Sequence, residues 1–225
     1  MISGYIEKTI RRNLLTIVIR LSFGFTRKPG ITTSHMFMPS STLPFDMESP
    51  TVINMMRNMK VNRKIPLEEV HYTFPKLTKL YRGRPEMLIM KTTTGRNVQM
   101  FRGGKVQILG CVSENDAESM RHEFIEKLRL IKSIHPFQVT EMTVSNLVMS
   151  VQLKKAIALH KIKSSNADVF YEIEIFPASL IQKWLPVHIA VFNSGRVIFT
   201  GLKSFEHFYT ILSNLTSFLK SSNVL

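Results

Sequence analysis

The chain has 225 residues, 44% of them apolar, and a mean hydropathy of +0.03; it can bury a real core and is not a low-complexity or disordered chain. Thirty Lys and Arg against 16 Asp and Glu give a net charge of +14 and a pI near 10.1, a surplus that asks for a polyanionic partner. A single cysteine, Cys111, excludes a disulfide framework and a thiolate zinc cluster.

Residues 1 to 49 read as an N-terminal arm: a basic apolar stretch, then Pro29-Gly30, then a run rich in Ser, Thr, Met and Pro ending at Pro50. At most one short amphipathic helix is expected there. Its longest uncharged apolar run, Asn13 to Ile19, is closed by Arg12 and Arg20 and is too short to span a bilayer. The expectation is a soluble, basic, intracellular protein.

From residue 50 onward the chain repeats itself. Met100-Phe101-Arg102-Gly103-Gly104-Lys105-Val106 recurs as Val191-Phe192-Asn193-Ser194-Gly195-Arg196-Val197, and the spacing from Gly104 to Gly195 is the spacing from Gly110 to Gly201. Upstream, Val52-Ile53-Asn54-Met55-Met56 matches Val144-Ser145-Asn146-Leu147-Val148. Each half therefore runs from an Asn motif through a Phe-x-x-Gly-Lys/Arg hairpin to a helix. A first repeat over 50–140 and a second over 141–225 follow. They share the charge unequally, with 16 Lys and Arg against 8 Asp and Glu in the first and 8 against 5 in the second.

Within the halves, short helices fit Pro66 to His71 and Lys155 to Leu159. Apolar alternation from Ile189 to Thr200 around Asn193-Ser194-Gly195 predicts strand, tight turn and strand. Ser113 with Asp116 caps a helix whose stripe is Met120, Phe124, Leu128 and Ile131. Ser204 caps another with Phe205, Phe208, Leu212, Leu215 and Leu219. Two copies of this pattern make an α+β domain with its antiparallel sheet covered on one face. Val191, Val197 and Phe199 would pack under the long helix, while Ala190, Phe192, Ile198 and Thr200 would lie on the other side. That side carries no charge at these positions and needs something apolar against it: a second core layer, a dimer face or a ligand.

Three stretches now support a resemblance. Val144-Ser145-Asn146-Leu147-Val148, Tyr171-Glu172-Ile173-Glu174-Ile175-Phe176-Pro177 and Val191 to Ser204 resemble the second repeat of the TATA-box-binding protein family, and the likeness extends over about residues 50 to 221. It implies a saddle: two pseudo-symmetric repeats forming one curved antiparallel sheet, with helices on the convex face and DNA under the concave one. The minor groove of A·T pairs lacks the guanine amino group that would obstruct an apolar surface.

Carried over by position, the resemblance makes Asn54 and Asn146 donors to base edges near the pseudo-dyad. Met56, Val148, Ile198 and Thr200, with Ala190, become groove contacts, and Phe176 and Phe192 become wedges between base steps. In the first repeat Phe101 matches one wedge and Pro85 falls at the other, since Phe74-Pro75 is badly spaced. Arg84, Lys91, Lys105 and Arg196 fall where phosphate-binding cations are expected. Gln99, Gln107 and Leu109 depart from the pattern, standing where apolar residues and a threonine belong. Glu172 and Glu174 match a loop that binds factor IIB, and Arg121, Lys127, Arg129 and Lys132 on the first long helix could serve other partners.

No Gly-rich phosphate loop, metal-spaced His pair or nucleophile motif is present, and Glu68 and Glu69 point apart on a short helix. Neither an enzyme nor a cofactor is expected. Two functions stay open. One is a promoter-binding initiation factor acting in the nucleus, or in the cytosol of a cell without one, with factor IIB and RNA polymerase as partners. The other is a scaffold of the same fold that has lost sequence-specific DNA binding.

Overall fold

The computed structural model describes residues 46–163, 168–222 and 224. Residues 1–45, and with them the expected amphipathic helix of the arm, lie outside the described residues.

The first half consists of β1 (Thr51–Lys60), α1 (Leu67–Thr73), β2 (Thr78–Tyr81), β3 (Met87–Lys91), β4 (Asn97–Phe101), β5 (Lys105–Cys111) and α2 (Glu114–Arg129). After a short turn of 3-10 helix the second half repeats the order: β6 (Thr143–Gln152), α3 (Leu159–Lys163), β7 (Val169–Phe170), β8 (Ala178–Ile181), β9 (His188–Phe192), β10 (Arg196–Leu202) and α4 (Phe205–Ser221). All ten strands form one sheet in the order β2-β3-β4-β5-β1-β6-β10-β9-β8-β7. The order reads the same from either edge once each strand is exchanged for its counterpart. The two halves join where β1 pairs antiparallel with β6, Asn54 opposite Val148 and Met56 opposite Asn146.

Local chemistry sets most of these elements. The β9–β10 hairpin closes with Gly195 N–H donating to Phe192 C=O at 3.0 Å, and the β4–β5 hairpin repeats the bond from Gly104 to Phe101. Ser113 Oγ accepts from Asp116 N–H at 3.2 Å and Ser204 Oγ from His207 N–H at 3.0 Å, so both long helices have the expected caps. Helix α3 differs from expectation, starting at Leu159 rather than at Lys155. Ile157 N–H donates to Asn193 C=O at 2.9 Å, which ties the preceding residues to the β9–β10 turn instead of freeing them for a helical ladder.

The main core lies between the sheet and the two long helices. From the helices come Ala117, Met120, Phe124 and Leu128 of α2 and Phe208, Leu212, Leu215 and Leu219 of α4; from the sheet come Val191, Val197 and Phe199 among others. Ile131 lies past the end of α2 but stays in this core. Arg57 pairs with Glu114 and Arg96 with Asp116, fastening the sheet to the first turn of α2. Burial pushes the Cys111 thiol up to about 11, leaving it protonated and inert at neutral pH.

Gly110 and Gly201 are equivalent positions in β5 and β10, with φ of +89° and +91°. Only glycine holds that conformation without penalty. A Cβ at Gly201 would lie 2.4 Å from the Pro186 carbonyl oxygen, whereas at Gly110 the nearest atom is a side-chain carbon of Arg96 at 3.8 Å. Gly110→Ala is expected to cost the backbone term alone, about 1–2 kcal/mol. Gly201→Ala should cost at least about 2 kcal/mol more, because backbone must move. Urea unfolding of the two variants measures the difference.

Candidate nucleic-acid interface

Strand alternation sends every second side chain to the face opposite the helices. In the second half this face carries Val148, Phe176, Ala178, Leu180, Ala190 and Ile198, a hydrophobic cluster separate from the main core, with Ile53, Phe170 and Phe192 packed against it. Thr200 belongs to the same face and its hydroxyl donates to the His188 carbonyl at 3.2 Å.

The face is closed, not open as expected. Val148 is 0% exposed and Phe176 only 1%, and the Phe176 and Phe192 rings meet edge to face with centroids 6.0 Å apart. The contact between the two rings is the edge arrangement that aromatic side chains favour. Phe176 is thus buried rather than projecting, while Phe192 and Asn146 are half-buried and reachable. For either ring to enter a base step it must first leave this cluster.

Asn54 and Asn146 are built alike. Asn54 Oδ1 accepts from Gly110 N–H at 3.1 Å, and Asn146 Oδ1 accepts from Gly201 N–H at 3.0 Å. Each bond runs to the glycine whose positive φ turns its amide toward the asparagine. With the oxygen held, each carboxamide presents its NH2 as the free end. Two donors related by the pseudo-dyad therefore stand on strands β1 and β6 at the middle of the sheet. Donors suit the N3 and O2 acceptors that every base pair shows in the minor groove.

The first half carries a different face. Met56, Phe101, Gln99, Gln107 and Leu109 are half-buried there, and Lys105 Nζ lies over the Phe101 ring at 5.8 Å. Pro85 is exposed in the loop before β3, next to exposed Arg84. Phe74 packs against the main core instead, so it is not on this face. Lys91, Lys105 and Arg196 are also exposed. Asn58, which sequence reasoning passed over, joins this face through Gln107; its counterpart by repeat position is Ser150, and that comparison was the available signal.

Glu172 and Glu174 are exposed in the loop before β8, alternating with Ile173 and Ile175 at 65% and 55% exposure. The two isoleucines add an apolar component that the sequence reading missed. On α2, Arg121, Lys127 and Arg129 pair with Glu118, Glu123 and Glu126 of their own helix. Their charge is largely spent within the helix surface. Among the described residues no group of His, Cys, Asp and Glu could hold a metal ion, and no helix is long and apolar enough to cross a membrane.

A duplicated antiparallel sheet, with helices on one side and a paired-asparagine, largely apolar surface on the other, defines the saddle class. The family model described as transcription factor TFIID (or TATA-binding protein, TBP) matches residues 49–131 and 141–222, and the chain belongs to that family. The TATA-box-binding protein of Pyrobaculum islandicum is 30% identical over 140 residues, 61% of this chain and 70% of that protein. That of Methanocaldococcus jannaschii is 26% identical over 170 residues, 75% of this chain and 92% of that one. The solved structure of Methanococcus jannaschii TBP is similar with a TM-score of 0.66 at 26% identity, covering 77% of this chain and 99% of its own.

Two outcomes are expected in the free protein. Phe176→Ala should lower the unfolding free energy by about 3 kcal/mol, as for a core phenylalanine, and Phe192→Ala by clearly less; chemical denaturation compares them. Burial holds the His188 imidazole below the usual histidine range, so the unfolded chain takes up that proton more readily than the folded one. Stability should therefore fall as pH drops through about 6.5, and less steeply in His188→Gln, as thermal melts from pH 7 to 5 would record.

Proposed function

We propose that this protein is a transcription initiation factor that binds and bends A·T-rich promoter DNA through the minor groove. The observation that carries the reading is the pair of asparagines whose oxygens are fixed by Gly110 and Gly201. Their free NH2 groups stand at the centre of a surface otherwise suited to a groove poor in polar groups. Membership of the TATA-binding protein family supports the same reading, and the protein is not an enzyme. Its working parts are an arm over 1–49 and two repeats over 50–140 and 141–225.

Asn54 and Asn146 donate to base edges at the centre of the site. Val148, Ile198 and Thr200, with Met56 on the other half, contact the groove floor. Phe176 and Phe192, with Phe101 and Pro85 opposite, enter base steps at the two ends. Opening a step costs a few kcal/mol, returned as the bent duplex meets more protein surface. Arg84, Lys91, Lys105 and Arg196 meet phosphates. Glu172 and Glu174 leave the DNA to one side and offer carboxylates, with Ile173 and Ile175, to a basic partner of the factor IIB kind, through which RNA polymerase is recruited. The protein acts where promoters are, in the nucleus, or in the cytosol of a cell that has none.

The scaffold reading draws on the closed second-half face and the polar first-half face. The two separate cleanly in solution. A promoter binder prefers A·T-rich to G·C-rich duplex, and four phosphate contacts give log K against log salt a slope of roughly −3 to −4. Asn146→Ala should lower affinity about tenfold or more, and Phe192→Ala should reduce the bend read by end-to-end energy transfer more than it reduces stability. Equal, weak binding of both duplexes at fixed salt would leave only the scaffold.

A further inference from the structure

Gln99, Gln107 and Asn58 lie side by side across β4, β5 and β1, Gln99 opposite Gln107 and Gln107 opposite Asn58. They form a row of three carboxamides on the face opposite the helices. At the equivalent positions of the second half stand Ala190, Ile198 and Ser150, likewise in register across β9, β10 and β6. One half of the surface thus has an amide row where the other has small and apolar side chains.

The orientation of the amides decides what they can recognise. Gln107 Nε2 donates to Asn58 Oδ1 at 2.9 Å and also approaches the Met56 sulfur at 3.6 Å. Gln99 Nε2 is directed at the Met87 sulfur. In this arrangement Gln107 is the donor and Asn58 the acceptor, which leaves the Gln107 oxygen outside the bond. Both Gln107 N–H groups and one of Gln99 are directed within the sheet, and Gln99 Oε1 and Gln107 Oε1 have no partner among the described residues. Two oxygens of the row, those of Gln99 and Gln107, are thus open to whatever lies against it, beside the NH2 of Asn58, whose own oxygen is held by Gln107.

In the minor groove, A·T and T·A pairs show acceptors only, and the sole donor is the N2 amino group of guanine. Two carboxamide oxygens facing an A·T pair would be desolvated without a partner, which is costly. Facing a G·C pair they would gain one. We propose that the first repeat reads a G·C pair through Gln99 and Gln107, so that the DNA site is asymmetric: A·T under the second repeat, and at least one G·C pair under the first. This inference rests on the minor-groove reading above and specifies its target.

Selection from a duplex pool randomised over the binding site, followed by affinity measurements on the winner, tests it. The expected winner has one A·T half and one half with a fixed G·C pair. Replacing that guanine by inosine removes only the N2 amino group and should weaken binding about tenfold. The double variant Gln99→Ala, Gln107→Ile, which copies the second half, should be indifferent to inosine and select A·T in both halves; its melting curve checks that it folds. The inosine substitution needs no variant at all. Selection of A·T in both halves by the unaltered protein, or affinity unmoved by inosine, overturns the inference and leaves promoter binding standing. Absence of any enriched duplex overturns both.

Discussion

A sheet covered by helices on one side only has a second face whose apolar side chains must be kept from water, and everything else here depends on how that is done. The ten strands bury one face under α2 and α4. The other face gathers Val148, Phe176, Ala178, Leu180, Ala190 and Ile198 into a cluster of its own. That cluster is small compared with the main core, and a bound duplex could replace its internal contacts with groove contacts. Under the proposed mode of binding, part of the interaction energy with DNA would go into opening this cluster. Phe176 bears on this most directly, since the ring proposed as a wedge is buried in the free protein.

Duplication made the two halves, and their later divergence made them unlike. The backbone symmetry is retained down to the glycine-pinned asparagines, Asn54 with Gly110 and Asn146 with Gly201. Side-chain chemistry is not. The second half is apolar where the first has an amide row, and the first half holds the larger share of positive charge. In the proposed complex a more polar face would contribute less by desolvation, and phosphate attraction would offset part of that difference. Such asymmetry would give the proposed complex a direction on DNA, which a symmetric saddle would lack.

The parts legible in sequence were those fixed by local rules. The hairpins at Gly104 and Gly195, the caps Ser113 and Ser204, and the division of Val191, Val197 and Phe199 from Ala190, Phe192 and Ile198 follow from turn chemistry, capping and strand alternation. Helix α3 was displaced because a long-range bond from Ile157 to Asn193 overrides local propensity. The burial of the second-half face was illegible for a related reason: alternation assigns a side chain to a face but says nothing about whether that face is exposed. Gln99 and Gln107 were visible as departures, yet their joining with Asn58 depends on the register of β1 against β5, bulge included. Ile173 and Ile175 stood in plain view beside the two glutamates, and only their exposure revealed them as surface.

The most direct measurement concerns which groove is read. In a selected site, every A·T pair can be replaced by inosine·cytosine, which keeps the minor-groove pattern of A·T and carries the major-groove pattern of G·C. A protein that presses this face into the minor groove should bind and bend the substituted duplex as it does the original. Affinity falling to the level of a random G·C-rich duplex would contradict the account.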